Sequence, residues 1–277
     1  MMFKKLDDNT EIPVLGFGTW GIGGRVDRGG SNDEKDVEAL RYGISKGITH
    51  IDTSEFYGQG HTEEVVGEAI SGFDRSKLFI STKVWLENLR YDDVIKSLKD
   101  SLRRLRTDYI DLYSIHKPNP NIPLRETMEA LDFLKDKGFI RFIGVSNFTV
   151  KLFEEAQSYT KNKIVANQLE YNLAVRVPKD DLEYYQRNGV LVVAYKPIAR
   201  GVLSSLGIKI LEELAKKYGR TIEQIALNWL ISKKNVVAIP KASERIHIDQ
   251  NIEALDFKID EEDIQRLNEL KLQLPVR

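Results

Sequence analysis

The chain has 277 residues, of which 42% are hydrophobic and none is cysteine, and its 41 basic and 42 acidic residues leave a formal net charge of -1. The absence of cysteine excludes disulfide bonds and thiolate metal sites, and the balanced charge does not indicate nucleic acid as a partner. The opening MMFKKLDDNT precedes no apolar run, and no segment approaches the ~18 apolar residues of a membrane span, so we expect a cytoplasmic protein without a signal peptide or membrane contact.

The first predicted element is a β-hairpin, in which MFKKL and EIPVLGF flank a turn at DDNT. Eight short apolar runs follow, each typical of a buried strand. They cover residues 14–20, 49–54, 78–84, 110–116, 140–147, 165–172, 191–198 and 236–242.

Amphipathic patterns separate these strands. In 91–107 the apolar residues step by four, four and three from Val94 to Leu105, which places them on one face of a helix. The segments 123–138 and 178–189 each begin with proline and end with glycine, as helices often do. Further helices are predicted near 209–218, 222–233, 244–254 and 260–270.

Strands that alternate with helices at this spacing predict βαβ units and a parallel sheet. Eight such strands predict an α/β fold, the (β/α)8 TIM barrel, here with an N-terminal β-hairpin and additional C-terminal helices. No linker or low-complexity segment divides the chain, so we expect residues 1–277 to form one barrel domain.

A glycine-rich run near the first strand suggests an alternative fold. In GFGTWG, Gly16, Gly18 and Gly21 have the G-x-G-x-x-G spacing of doubly wound dinucleotide-binding folds. That motif needs a helix at once and an acidic residue about 20 positions later. Here the helix begins only near Asp33, and the next acid at a strand end, Asp52, is 31 residues past Gly21. The doubly wound fold is therefore the weaker alternative, and close packing or a mobile loop accounts for the glycines.

Polar side chains stand at the carboxyl ends of the predicted strands, where barrels of this kind carry their active sites. Asp52 ends the second strand, Lys83 lies near the end of the third, and His116 ends the fourth. Tyr57 follows Asp52 in the same loop. Each residue alone has an ordinary alternative, such as a turn or helix cap for Asp52 and a solvated position for Lys83. Their occurrence on successive strand ends indicates catalysis. The next two strands carry Ser146, Asn147 and Gln168.

This combination of side chains suits proton donation. A phenol is a poor acid at neutral pH because its pKa is near ~10. We expect the Lys83 ammonium to lower the pKa of Tyr57, and Asp52 to pair with Lys83 so that the lysine stays charged beside apolar walls. Tyr57 then serves as a general acid, and His116 hydrogen-bonds the same substrate oxygen.

Eight segments in order along the chain are IPVLGFGTWGIGG, IDTSEFYG, STKVW, SLRRLRTDYIDLYSIHKP, GFIRFIGVSNF, NQLEYN, AYKPIARG and IPKASERIHIDQN. Together these segments resemble the aldo-keto reductases. The resemblance implies a (β/α)8 barrel that reduces aldehydes or ketones to alcohols with NADPH and without a metal, in a reaction that also runs towards alcohol or sugar oxidation. It implies that Asp52, Tyr57, Lys83 and His116 form the catalytic tetrad.

The resemblance also implies a cofactor cleft along the strand ends. Ser146, Asn147 and Gln168 would hold the nicotinamide carboxamide, and Tyr195 would stack on the nicotinamide ring. Ordinary roles remain open, such as a helix cap at Ser146 or Asn147 and core packing at Tyr195. Further implied cofactor positions are Thr19, Trp20, Pro197, Ile198, Gly201 and Leu203, and the implied substrate positions are Trp20, Trp85 and His116.

The segment after the eighth strand departs from the common family pattern. Lys241 would contact the 2′-phosphate of NADPH, and Asn251 would contact the adenine. His247 stands where many members have arginine, so one guanidinium is missing, although Arg245 lies two residues earlier. Ser243 would cap the following helix and offer its hydroxyl. We therefore expect NADPH as the cofactor, with NADH as an alternative.

Three classes of function remain. The first is NADPH-dependent reduction of a small-molecule carbonyl compound, with Tyr57 as the general acid. The second is a non-catalytic accessory or regulatory subunit that binds the cofactor, which the intact tetrad opposes. The third is a metal-dependent barrel hydrolase, which the absence of an H-x-H motif on the first strand opposes. The sequence leaves the carbonyl substrate and the oligomeric state open.

Overall fold

The computed structural model describes residues 2–7 and 9–272. Strands β1 (Phe3–Lys5) and β2 (Glu11–Pro13) pair antiparallel, and this is the predicted hairpin. The predicted turn at 7–10 includes residue 8, which lies outside the described residues, as do residues 1 and 273–277 of the predicted domain range.

Every predicted barrel strand is present, and each pairs in parallel with its neighbours in chain order. The sheet closes where Leu15 bridges Ala238 and the Gly18 amide donates to the Pro240 carbonyl at 3.1 Å. This closed parallel barrel excludes the doubly wound alternative. The strands are β3 (Gly16–Gly18), β4 (His50–Asp52), β5 (Phe79–Val84), β6 (Ile110–Ile115), β7 (Ile140–Ser146), β8 (Ile164–Glu170), β9 (Leu191–Tyr195) and β10 (Val236–Ala238).

Helices surround the barrel, and none of them in the described part of the chain is long and apolar enough to cross a membrane. Pro123 and Pro178 occupy the N-cap positions of their helices, as their spacing predicted. The helices are α1 (Asp33–Ser45), α2 (His61–Ile70), α3 (Tyr91–Leu105), α4 (Leu124–Asp136), α5 (Val150–Ser158), α6 (Lys179–Arg187), α7 (Lys209–Tyr218), α8 (Ile222–Ile231), α9 (Arg245–Glu253) and α10 (Glu261–Glu269).

The sequence patterns did not single out α2 and α5. Helix α2 is buried on most of its surface, including Glu63 and Gly67, so it shows no one-sided apolar pattern. Helix α5 is short and buries only Phe153 and Ala156. Both helices therefore lack the periodic signal that identified α3.

Alternation along the strands places the site. The first inward-facing residues of the strands are apolar. Phe79 of β5 and Phe142 of β7 pack with Ile12 of the hairpin in a cluster that fills the barrel interior. Since side chains alternate with a period of two, later positions on the same face reach the carboxyl ends, with Lys83 on β5 and Ser146 at the end of β7. The hairpin closes one end of the barrel and polar side chains gather at the other.

Candidate active site

A buried ion pair lies at the mouth of the barrel. Lys83 Nζ lies 2.7 Å from Asp52 Oδ2 and also donates to the Thr53 carbonyl at 2.8 Å. The two side chains are 1% and 3% exposed, respectively. Burial disfavours the ammonium, but the negative charge of Asp52 and the neighbouring Tyr57 together raise the pKa of Lys83, so the lysine is charged at neutral pH. The expected pairing of Asp52 with Lys83 is present.

The second carboxylate oxygen of Asp52 is also occupied. Asp52 Oδ1 accepts hydrogen bonds from Gln168 Nε2 at 2.7 Å and from Ser81 Oγ at 3.1 Å. Both oxygens are thus satisfied inside the protein, as buried carboxylates require. Asp52 therefore supports Lys83 and does not face the opening. Sequence reasoning did not identify Ser81, although its inward position two residues before Lys83 on β5 follows from strand alternation.

The phenol of Tyr57 lies beside this pair. Its hydroxyl is 3.5 Å from Lys83 Nζ. The loop turns back through Gly58, whose φ of 54° is left-handed and whose Cβ, if present, would lie 2.8 Å from the Gly23 carbonyl oxygen. The expectation of a net lowered pKa for Tyr57 is wrong: burial raises the pKa, and the opposing effect of Lys83 does not outweigh it. The phenol is therefore protonated at neutral pH.

His116 lies against Tyr57 with ring centroids 5.5 Å apart and an interplanar angle of 80°. Burial, together with the positive charges of Lys83 and Lys117, lowers the pKa of His116 to about 2. The imidazole is therefore neutral at physiological pH. Its Nδ1 atom lies 2.8 Å from Ser54 Oγ.

Aromatic side chains form the walls around Tyr57 and His116. Phe56 stacks on Trp85 with centroids 3.7 Å apart, and Trp85 meets the His116 ring edge-on at 5.0 Å. Trp20, which is 37% exposed, meets the Tyr57 ring edge-on at 4.9 Å. Both predicted substrate-facing tryptophans thus lie beside the tetrad. Phe56 was not identified from the sequence, because a single aromatic residue in a loop has no periodic signal.

The four side chains predicted to hold the nicotinamide also lie together. Asn147 adopts a left-handed φ of 63°, and its Nδ2 donates to the His116 carbonyl at 3.2 Å. Tyr195 Oη donates to Asn147 Oδ1 at 2.9 Å, and Ser146 Oγ donates to the Gln168 carbonyl at 3.0 Å. A hydroxyl, two amides and a flat aromatic ring are a donor set that fits a carboxamide on a planar heterocycle.

The remaining positions predicted near the first and seventh barrel strands differ in exposure. Thr19 is fully buried, and its hydroxyl donates to the Asp52 carbonyl at 2.9 Å. Leu203 is also fully buried, whereas Gly201 is exposed with a φ of 76°. The loop that follows β9 also carries Pro197 and Ile198, which are buried and half-buried. In this group, Gly201 presents open backbone to solvent, whereas Thr19 supports strand β4.

Exposed cations lie just before α9 and at its first residue. Lys241 and Arg245 make no salt bridge within residues 2–7 and 9–272, and Arg245 lies over the Tyr42 ring. The N-cap of α9 is Glu244, which makes no side-chain capping hydrogen bond. The expectation that Ser243 caps this helix is wrong, because Ser243 stands one residue too early and its hydroxyl donates to Asp36 Oδ1 at 3.2 Å.

Two further predicted positions lie on α9 itself. His247 is exposed, and its Nδ1 lies 3.1 Å from Gln250 Oε1. Asn251 is 8% exposed. Lys241 lies just before α9, and Arg245 is its first residue. Cationic groups beside a helix N-terminus are suited to binding a phosphate group.

Comparisons with known proteins agree with this geometry. A sequence model described as the Aldo/keto reductase family matches residues 14–272. The methylglyoxal reductase YeaE of Escherichia coli is 35% identical over 265 residues, which cover 94% of this chain and 91% of that protein.

Two solved structures are similar over nearly the whole chain. The thermostable aldo-keto reductase Tm1743, solved with the inhibitor epalrestat, is 50% identical with a TM-score of 0.94, covering 97% of this chain and 99% of the other. An aldo-keto reductase from Klebsiella pneumoniae in complex with NADPH is 34% identical with a TM-score of 0.86 over 100% of both chains.

Proposed function

The chain belongs to the aldo/keto reductase family, and from that premise we propose that it reduces small aldehydes or ketones to alcohols with NADPH. One observation carries the proposal: the phenol of Tyr57 lies beside a buried, carboxylate-paired lysine, within an aromatic cleft. A non-catalytic cofactor-binding subunit would not require a buried ammonium next to a phenol, because such a pair is costly to bury.

Each of the four side chains has a different role in protonating the carbonyl oxygen. When bound, NADPH supplies the hydride that the carbonyl carbon accepts. Tyr57 donates its proton to the carbonyl oxygen as that oxygen gains negative charge, which completes the alcohol and leaves a phenolate. Lys83 stabilises the phenolate, and Asp52 keeps Lys83 charged and in place. Water then returns a proton to Tyr57. His116 adds a hydrogen bond to the same oxygen.

The cofactor position follows from the donor groups at the strand ends. Ser146, Asn147 and Gln168 would hold the carboxamide, and Tyr195 would lie against the ring. Lys241 and the exposed groups before α9 would bind the 2′-phosphate, with Ser243, His247 and Asn251 nearby. Thr19, Trp20, Pro197, Ile198, Gly201 and Leu203 would shape the rest of the cleft, in which Thr19 and Leu203 act from buried positions.

Small reactive carbonyl compounds are the first substrates to test, because a similar protein is named as a methylglyoxal reductase. Trp20, Trp85 and His116 would contact the substrate, and the stacked Phe56 and Trp85 make one wall of its space. We also propose that the enzyme acts in the cytoplasm, and its balanced charge gives no reason to expect nucleic acid as a partner.

The experiment is a turnover assay on the purified protein. Oxidation of NADPH is followed with methylglyoxal, glyoxal and a panel of simple aldehydes and ketones, with NADH run in parallel. We expect turnover that is lost in Tyr57→Phe. NADPH binding without turnover of any carbonyl in the wild-type protein would instead support the non-catalytic subunit.

A further inference from the structure

One side chain between Asp52 and Tyr57 has no part in the tetrad yet contacts it directly. Ser54 is fully buried, and its Oγ lies 2.8 Å from Nδ1 of His116. The same Oγ accepts a hydrogen bond from the Phe56 amide at 3.2 Å. The described part of the chain gives this hydroxyl no third partner. The contact therefore has only two arrangements, which differ in the atom that carries the shared proton.

Counting donors separates the two arrangements. The Phe56 amide can only donate, so Ser54 Oγ is an acceptor in that contact. If Nδ1 of His116 also donated to Oγ, the Ser54 hydroxyl proton would have no acceptor in a fully buried place, which is strongly disfavoured. If the hydroxyl donates to Nδ1, the Ser54 hydroxyl, Nδ1 and the Phe56 amide all have partners. Nδ1 must then be the unprotonated nitrogen.

The tautomer matters because the imidazole is neutral and thus has one N–H. His116 Nε2 has no hydrogen-bond partner within residues 2–7 and 9–272 and is not among the fully buried unpartnered atoms, so it is open towards the cleft. The Tyr57 ring lies on that cleft. An Nε2 that carries the proton can donate to a carbonyl oxygen, whereas an Nε2 lone pair would repel it.

We propose that Ser54 is a positioning residue, which donates its hydroxyl to Nδ1 of His116 and so fixes the tautomer whose Nε2–H donates to the carbonyl oxygen. The inference rests on the proposed function, because it assigns His116 to the same oxygen that Tyr57 protonates. Ser54 itself does not contact the substrate.

The direct test is the nitrogen NMR spectrum of the histidine rings in the full-length protein. His116 is assigned by its absence in His116→Gln. We expect wild-type His116 to show a protonated Nε2 and an unprotonated Nδ1, and Ser54→Ala to show a mixture of both tautomers. A protonated Nδ1 in the wild-type protein would overturn the proposal. This readout does not depend on turnover, so it stands even if the proposed carbonyl reduction fails.

The kinetic test uses kcat/KM for methylglyoxal. Complete loss of one oxyanion donor lowers rates by about 10²–10³-fold, and we expect Ser54→Ala to cost about tenfold because part of the population keeps the productive tautomer. Ser54→Thr, which retains a hydroxyl, should recover most of the loss. In a His116→Gln background, Ser54→Ala should cost nothing further. An equal loss in both backgrounds would show a merely structural role and refute the proposal.

A matched control separates this effect from loss of any buried hydroxyl. Ser101 on helix α3 is also fully buried, and its Oγ accepts a hydrogen bond from Arg104 at 3.2 Å. Ser101→Ala should leave kcat/KM and the His116 spectrum unchanged. Melting temperatures and NADPH affinity of all variants confirm that the fold and the cofactor site persist.

Discussion

Lys83 Nζ lies 3.5 Å from the Tyr57 hydroxyl, further than the 2.7 Å that separates it from Asp52 Oδ2. The lysine is thus held mainly by the carboxylate, and the phenol lies at the outer limit of its reach. This arrangement suits a proton donor, because the ammonium attracts the phenolate more strongly than the neutral phenol. Burial keeps Tyr57 protonated, and in the proposed reaction Lys83 would stabilise the phenolate that proton transfer leaves.

The first prediction concerns the proton donor. Tyr57→Phe should lower kcat for carbonyl reduction by about 10²–10⁴-fold, the range of general acid catalysis. NADPH affinity, measured by fluorescence titration, should change little, because the deleted hydroxyl lies at the tetrad. Turnover within a few-fold of the wild-type value would remove Tyr57 from its assigned role.

The second prediction concerns the buried pair. Asp52→Ala leaves the Lys83 ammonium unpaired in a place where it is 1% exposed, so the free energy of unfolding should fall by roughly 3–5 kcal/mol. The double variant Asp52→Ala/Lys83→Met should be more stable than Asp52→Ala alone, because the uncompensated charge is gone. Denaturant titration measures both. If the double variant proved the less stable of the two, the unpaired charge would not be the cause of the loss.

The third prediction concerns acid stability. Burial lowers the pKa of His50 to about 4, below the ~6.5 of an unfolded histidine. Well above pH ~6.5 His50 is neutral in both the folded and the unfolded state, so protonation takes nothing from the free energy of unfolding. As the pH falls below that value, His50 becomes protonated in the unfolded chain but stays neutral in the folded protein. The free energy of unfolding therefore decreases. At pH 5 this amounts to about 2 kcal/mol for one histidine, at ~1.4 kcal/mol per pH unit.

The test compares unfolding free energies at pH 7 and pH 5. His50→Gln should reduce the pH-dependent loss by that amount, whatever the variant does to stability at pH 7. His247→Gln is the matched control, because His247 is exposed on α9. A loss in His50→Gln as large as in the wild-type protein would rule out this source of acid sensitivity.

Periodicity predicted most of the fold, and the strand ends predicted that the four tetrad candidates lie close together. All eight barrel strands and the convergence of Asp52, Lys83 and His116 follow from alternation and from the parallel order. The two helices that were missed lack a one-sided apolar pattern for different reasons, since α5 is short whereas α2 is buried on most of its surface. Helix α2 buries the charged side chain of Glu63, whose carboxylate pairs with Arg104 at 2.7 Å. Arg104 lies 41 residues away along the chain, so no local sequence pattern indicates this pair.

The direction of the net pKa shift of Tyr57 could not be predicted from the sequence either. The charge of Lys83 near Tyr57 was foreseen, but burial has the larger effect on the pKa of the phenol and acts in the opposite direction. Burial of a loop residue depends on everything that packs over it, here Trp20 and the ring of His116. In the same way, the hydroxyl of Ser243 is taken by Asp36, 207 residues earlier, and not by the helix it precedes.

The last prediction concerns the preference for NADPH over NADH. Lys241, which precedes α9, and Arg245, its first residue, are exposed cations without an acidic partner in the described ranges, while Glu244 occupies the N-cap. A charge-assisted hydrogen bond contributes about 1.5–3 kcal/mol, so one cationic contact with the 2′-phosphate gives roughly a 10–100-fold preference.

Lys241→Ala should shrink the ratio of kcat/KM values for the two cofactors. His247→Arg should raise it by adding a guanidinium, and Glu244→Gln should raise it by removing a like charge from the phosphate site. Lys258→Ala, an exposed lysine beyond α9, is the matched control and should leave the ratio unchanged. Equal use of both cofactors by the wild-type enzyme, unaltered in Lys241→Ala, would show that this segment does not contact the 2′-phosphate.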